Sequence, residues 1–128
     1  MTILLDTSIL IDALRDRKGR RAFLRELVLS GHTLACSPVN VAEVYAGMRP
    51  KEAPATQEFL SNLDYVPISR ASAERAGLLK AHWSAKGRTL SLADTLVAAV
   101  ALEGNLALAT DNVKHYPMTE LNLVPLPD

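Results

Sequence analysis

The amino-acid sequence predicts an α/β domain built on a parallel sheet. Short, continuously apolar runs, typical of buried strands, alternate with segments whose apolar residues recur at helical spacing. The chain has 128 residues, of which 48% are hydrophobic and 22% are charged, as in ordinary globular domains. A chain of this length buries roughly two-thirds of its unfolded surface. We therefore expect one domain over residues 1–128, stable without disulfides or a structural metal.

The first predicted elements are a strand, two helices and a second strand. The run Ile3 to Leu5 predicts a buried strand, and the helical spacing after it predicts a helix capped by Thr7 or Ser8. A second helix lies before Gly31, which is typical of the residue that follows a helix. The apolar run from Leu34 to Cys36 predicts the second strand.

Ser37 and Pro38 predict the start of a third helix, because a hydroxyl caps the helix and proline is accepted at its first position. The remaining elements continue the alternation, and Pro67 is tolerated in an edge strand. They are helices at 56–63, 73–87 and 92–102, an edge strand at 65–68, and strands at 106–109 and 121–124.

Charge and cysteine content narrow the class of protein. Fourteen basic residues balance fourteen acidic ones, so a polyanion has to be recognised by a local patch and not by net charge. The single Cys36 cannot pair within the chain and is typical of a reducing compartment, so we expect a cytoplasmic protein. No apolar run approaches the length of a membrane span, and we expect neither export nor membrane insertion.

Four acidic residues stand where a parallel sheet places its ligands, beyond the carboxyl ends of the strands. Asp6 follows the first strand and Asp111 follows the fourth, and these strands are neighbours if the strand order is 3-2-1-4-5. Glu43 lies on the helix after the second strand, and Asp94 begins an apolar helix. Like charges about 5 Å apart repel by on the order of 3 kcal/mol, and a cation relieves that repulsion.

Three of these acids also have a simpler interpretation. Asp6 and Asp94 are suited to capping helices, since Ser91 to Asp94 matches a capping-box pattern. Glu43 lies about 150° from the apolar stripe of its helix, as expected of a solvated residue. The joint placement of all four acids favours a shared site. An oxygen-only ligand set favours Mg²⁺ or Mn²⁺ over zinc, because the three histidines lack metal-ligand spacing.

The chain resembles PIN-domain ribonucleases, specifically toxins of the VapC type. The similar segments are spread over essentially the whole chain: residues 4–8, 40–43, 92–99 and 109–116. The resemblance implies a PIN-like three-layer domain, a five-stranded parallel sheet flanked by helices. It also implies a Mg²⁺- or Mn²⁺-dependent hydrolysis of RNA, restraint by a cognate antitoxin, and a homodimer.

The same resemblance assigns roles to the acids. Asp6 and Asp94 are expected to bind the metal ion, and Glu43 to bind it or to act as the base that positions water. Asp111 is expected as an outer ligand, although Asn112 is the alternative for this fourth position. Cleavage would leave a 3′-hydroxyl and a 5′-phosphate.

Residues 15–25 concentrate positive charge, and their cations are candidates to bind RNA phosphates, although a solvated helix face explains such a run as well. The RNA-binding candidates are Arg17, Lys18, Arg20 and Arg21.

A second hypothesis is a catalytically idle PIN-like module that binds RNA or protein. A phosphohydrolase with a nucleophilic Asp6 is disfavoured, because Ser8 stands where its second acid belongs.

Overall fold

The computed structural model describes residues 1–127 and contains the predicted parallel sheet. Its five strands lie in the order β3-β2-β1-β4-β5, and every neighbouring pair is parallel. This is the predicted order, with β1 at the centre. The strands are β1 (Thr2–Leu5), β2 (Thr33–Cys36), β3 (Asp64–Tyr65), β4 (Ala107–Ala109) and β5 (Asn122–Leu123).

Six α-helices connect the strands. Two short 3₁₀ turns, Pro50–Glu52 and Val113–His115, lie before α4 and after β4. The helices are α1 (Thr7–Leu14), α2 (Arg20–Leu29), α3 (Pro38–Gly47), α4 (Ala53–Ser61), α5 (Arg70–Ala85) and α6 (Leu92–Glu103). Within residues 1–127, no helix is both long and apolar enough to cross a bilayer.

The alternation of side chains along β1 divides the core into two layers. Ile3 and Leu5 point to one face and pack with residues of α1 to α4. Leu4 points to the other face and packs with α6, β4 and the segment that ends at Leu121. Both faces of the sheet are therefore covered, which confirms the three-layer architecture and explains why the central strands are almost wholly apolar.

The structure differs from the sequence expectations at several element ends; α5, for example, begins at Arg70, three residues earlier than expected. The N-cap of α1 is Asp6, whose carboxylate accepts a hydrogen bond from the Thr7 amide, and not Thr7 or Ser8. Helix α4 begins three residues early, because Pro54 fits the first turn of a helix. Strand β3 ends at Tyr65, although the Val66 amide still donates to the Cys36 carbonyl at 2.9 Å, because β2 ends at Cys36 and Pro38 has no amide hydrogen with which to continue the ladder.

Candidate active site

Asp6 lies where β1 meets α1 and is 6% exposed. Its backbone amide donates to the carbonyl of Ala109 at 2.9 Å, so the ends of β1 and β4 are in contact. One carboxylate oxygen accepts from the Thr7 amide at 2.9 Å. The other accepts from the Thr110 hydroxyl at 2.7 Å and from the Tyr116 hydroxyl at 3.1 Å. Three donors thus fix the orientation of this buried carboxylate.

Asp94 lies in the first turn of α6, and the side chain of Ser91 caps that helix by accepting from the Asp94 amide at 3.1 Å. The Asp94 carboxylate makes other contacts. Its Oδ1 accepts from the Tyr116 hydroxyl at 3.3 Å, and its Oδ2 lies 3.3 Å from His115 Nδ1. Among residues 1–127 the carboxylate makes no hydrogen bond to the Ser91 amide, so the reciprocal half of the capping box is not formed.

Tyr116 links the two aspartates. Its hydroxyl contacts both Asp6 and Asp94, and the residue is 3% exposed. Burial raises the pKa of this phenol well above its usual value, and the charges of Asp6 and Asp94 raise the pKa further. The hydroxyl therefore keeps its proton at neutral pH, and that single proton is shared between two carboxylate acceptors.

Glu43 reaches the same region from α3. Its Oε1 accepts from the Thr7 hydroxyl at 2.6 Å, and the side-chain amide of Asn40 donates to that hydroxyl at 3.2 Å. Asn40 is fully buried, and its own oxygen accepts from the Ser37 amide and hydroxyl. Glu43 is exposed, as its helical position predicts, but a chain of hydrogen bonds anchors it beside Asp6.

Asp111 has a different environment. Its Oδ1 lies 2.5 Å from Nη2 of Arg20, and the side chains of Asp111 and Arg20 are 20% and 6% exposed. Within residues 1–127, none of the hydrogen bonds that link Asp6, Glu43 and Asp94 includes Asp111. Asn112 is exposed, and its backbone amide donates to the Thr110 hydroxyl. The ligand role of Asp111, and the alternative at Asn112, remain predictions.

The basic segment divides into engaged and exposed cations. Arg20 faces Asp111 in the interior, where it contacts a carboxylate and not solvent. Arg21 donates to the carbonyls of Ala13 and Leu14, the last carbonyls of α1. Arg17 and Lys18 are exposed, although the ammonium of Lys18 lies 3.7 Å from a carboxylate oxygen of Asp12. The surface available to RNA here is therefore smaller than the sequence indicates.

The donor set can be tested against a divalent ion. Within residues 1–127, no three His, Cys, Asp or Glu side chains are gathered closely enough to bind one ion directly. Magnesium, however, keeps several water ligands and is commonly held by one or two carboxylates together with substrate phosphates. Asp6 and Asp94, separated by one hydroxyl, provide two carboxylates and no nitrogen or sulfur ligand. The residues fit a hard, largely hydrated ion.

Sequence reasoning did not identify Tyr116 and Asn40 as residues that contact the acids or their partners. Asn40 has a readable signal, since it stands three residues after Ser37 in a capping-box arrangement that the structure forms. Tyr116 lies in one of the family-like segments, but nothing in the sequence shows that its hydroxyl reaches two aspartates 110 and 22 residues away.

The fold and the site define a three-layer α/β domain with acidic side chains at the carboxyl edge of a parallel sheet. Within that class the chain belongs to the PIN domain family, which matches residues 3–119. PIN domains are metal-dependent nucleases, so this membership supports the predicted enzyme class.

Curated relatives and solved structures agree with this membership. Ribonuclease VapC10 of Mycobacterium tuberculosis is 36% identical over 118 residues, which are 92% of this chain and 88% of that protein. Ribonuclease VapC19 of Mycobacterium tuberculosis is 32% identical over 115 residues, 90% of this chain and 92% of that protein. VapBC2 of Rickettsia felis, solved bound to a DNA fragment from its promoter, has a TM-score of 0.84 at 27% identity, covering 97% of this chain and 98% of that chain.

Proposed function

We propose that this protein is a metal-dependent ribonuclease toxin that hydrolyses RNA phosphodiester bonds and is restrained by a cognate antitoxin. The observation that carries the proposal is the convergence of Asp6, Glu43 and Asp94 beyond the end of β1, linked by the hydroxyls of Thr7 and Tyr116. The names of the curated relatives support ribonuclease activity. A toxin-antitoxin complex from Klebsiella pneumoniae, with a TM-score of 0.80 at 27% identity over 96% of each chain, supports the partner.

Mg²⁺ or Mn²⁺ is the proposed ion, with Asp6 and Asp94 as the carboxylates that hold it. When bound, the ion supplies positive charge for the phosphate and increases the acidity of a water molecule. Glu43 would hold the ion or serve as the base for the attacking water, and the Thr7 hydroxyl keeps its carboxylate in place. Thr110 and Tyr116 orient Asp6 through their hydroxyls. Cleavage is proposed to leave a 3′-hydroxyl and a 5′-phosphate.

We also propose a homodimer and a cytoplasmic location. The buried, unpaired thiol of Cys36 is consistent with a reducing compartment. Sedimentation of the purified chain tests the oligomeric state.

Cleavage of labelled RNA in EDTA, Mg²⁺ or Mn²⁺ tests the activity. Wild type is compared with Asp6→Asn and Asp94→Asn, and with Asp64→Asn as a matched control, because Asp64 is an exposed acid on the edge strand. We expect metal-dependent cleavage by wild type and Asp64→Asn only. Equal cleavage by all four proteins would refute the assignment of the site. RNA binding by wild type without cleavage in either metal would instead favour the idle binding module.

A further inference from the structure

A pocket with basic walls lies beside Asp94, away from residues 15–25. It has a volume of about 290 Å³ and is open to solvent. The loop before α6 and the 3₁₀ turn after β4 form it. Its polar walls are Arg88, Thr89, Ser91, Asp94, Lys114 and His115, called here the Arg88 pocket.

The charges of the Arg88 pocket favour an anion. Arg88 and Lys114 are cations, and among residues 1–127 neither lies within 4.0 Å of a carboxylate. The one acid in the wall, Asp94, is already contacted by Tyr116 and His115. In the basic run Arg17 and Arg25 are similarly unpaired, but its other four cations each lie near an acid. The two uncompensated charges of the Arg88 pocket differ from these in lining one cavity beside Asp94.

The pocket is also held in shape. The Arg88 guanidinium donates to the carbonyl of Lys114, which ties the loop before α6 to the turn after β4. The ammonium of Lys80 donates to the carbonyl of Leu90 and fixes the same loop from α5. The pocket opens at the first turn of α6, where the positive end of the helix dipole adds to the attraction for an anion. A preformed cationic pocket loses less entropy on binding than flexible surface lysines do.

We propose that the Arg88 pocket binds a backbone phosphate of the RNA substrate, next to the phosphate that is cleaved. The proposal rests on the ribonuclease function proposed above, because the pocket shares Asp94 with the acidic site. Arginine and lysine contacts to phosphates position a nucleic acid without reading its sequence. Arg88 and Lys114 would therefore place the strand so that the next phosphate lies between Asp6 and Asp94.

Binding of a fluorescent single-stranded RNA in EDTA, over a range of salt concentrations, tests the pocket without cleavage. Lys114→Gln is the principal variant, because the Lys114 side chain makes no hydrogen bond within residues 1–127. Arg88→Gln is the second variant, and Lys51→Gln at an exposed site on another turn is the matched control. We expect Lys114→Gln and Arg88→Gln each to raise Kd several-fold and to reduce the slope of log K against log salt by about 0.7. Lys51→Gln is expected to match wild type in both.

The outcomes separate this proposal from the one on which it rests. Wild-type Kd and slope in both pocket variants, with RNA cleavage by wild type intact, overturn the pocket and leave the ribonuclease function standing. A wild-type protein that neither binds nor cleaves RNA defeats both proposals. If the two pocket variants lose affinity for an acidic peptide but bind RNA as wild type does, the RNA assignment is also overturned and the ligand of the pocket is a protein. In steady-state cleavage, Lys114→Gln is expected to raise KM more than it lowers kcat.

Discussion

The ends of β1 and β4 present the same residue type at the same edge of the sheet, but in opposite environments. Asp6 follows β1 and receives hydrogen bonds from an amide and two hydroxyls, all of them uncharged donors. Asp111 follows β4 by two residues and is paired with the guanidinium of Arg20. The strand ends touch through the Asp6 amide and the Ala109 carbonyl, so the two acids belong to adjacent parts of one edge.

The difference shows that the partner of a carboxylate, more than its place on the sheet, determines what it can do. Neutral donors orient Asp6 but leave its negative charge available to a cation. The cation of Arg20 already neutralises Asp111, so a metal ion there would compete with a fixed positive charge. The end of β1 therefore suits the proposed divalent ion better than the end of β4, where the structure forms an internal ion pair.

The largest expected effect is on catalysis, where the two strand-end acids, Asp6 and Asp111, are expected to differ. Loss of an outer partner of a metal ligand typically costs 10- to 100-fold, so we expect Asp6→Asn to lower kcat/KM by more than about 100-fold. We expect Asp111→Asn to lower it by less than about 10-fold, since Asp111 faces Arg20. Single-turnover cleavage in Mn²⁺, on samples shown to be folded, provides the measurement. Comparable losses in both variants would restore Asp111 to the metal site.

The second effect is on the free energy of unfolding, to which the Arg20–Asp111 pair is expected to contribute more than Asp111 contributes to catalysis. Arg20→Met leaves the mostly buried carboxylate of Asp111 without a counter-charge, and removing one partner of a buried pair costs about 3 kcal/mol. Urea unfolding of the metal-free protein measures the loss. The matched control is Arg25→Met at an exposed site on α2, where we expect a change within about 0.5 kcal/mol. An equal, small loss at both positions would show that the Arg20–Asp111 pair contributes nothing.

The third effect concerns the hydroxyl that joins the site acids. Tyr116→Phe keeps the buried ring but removes the donor shared by Asp6 and Asp94, so the two carboxylates lose a common anchor. We expect the affinity for Mn²⁺, measured calorimetrically, and kcat/KM each to fall about 10-fold. Tyr45→Phe removes a more exposed hydroxyl and is the control. Unchanged Mn²⁺ affinity in Tyr116→Phe would make the hydroxyl a packing feature only.

The fold was predictable because it depends on local patterns. Continuous apolar runs predicted the parallel strands, and the neighbouring positions of β1 and β4 follow from the predicted strand order. The acids Asp6, Glu43 and Asp94 were grouped by their positions after the strands and by the family resemblance, and the structure links them through the Thr7 and Tyr116 hydroxyls. Asp6 caps α1 and also shares Tyr116 with Asp94, so its two interpretations are not exclusive.

The contacts that depend on long-range pairing were not predictable. Arg20 and Asp111 are 91 residues apart. The basic run around Arg20 predicts a solvated surface, whereas the Arg20 side chain is buried in the structure. The Tyr116 hydroxyl is similar, because its position follows from the path of the chain after β4 and from the packing of its ring. Local periodicity determines which face of an element is buried, but not which polar group it meets there.

The smallest expected effect separates the site acid of α6 from its cap. Asp94→Asn removes a charge that repels Asp6, while the capping hydroxyl of Ser91 stays in place. We expect the free energy of unfolding in EDTA to be unchanged or higher. Ser91→Ala is the matched variant on the same turn and should lose about 1 kcal/mol, because the hydroxyl that accepts from the helix amide is absent. A loss of about 1 kcal/mol in Asp94→Asn would instead assign its carboxylate to the cap of α6.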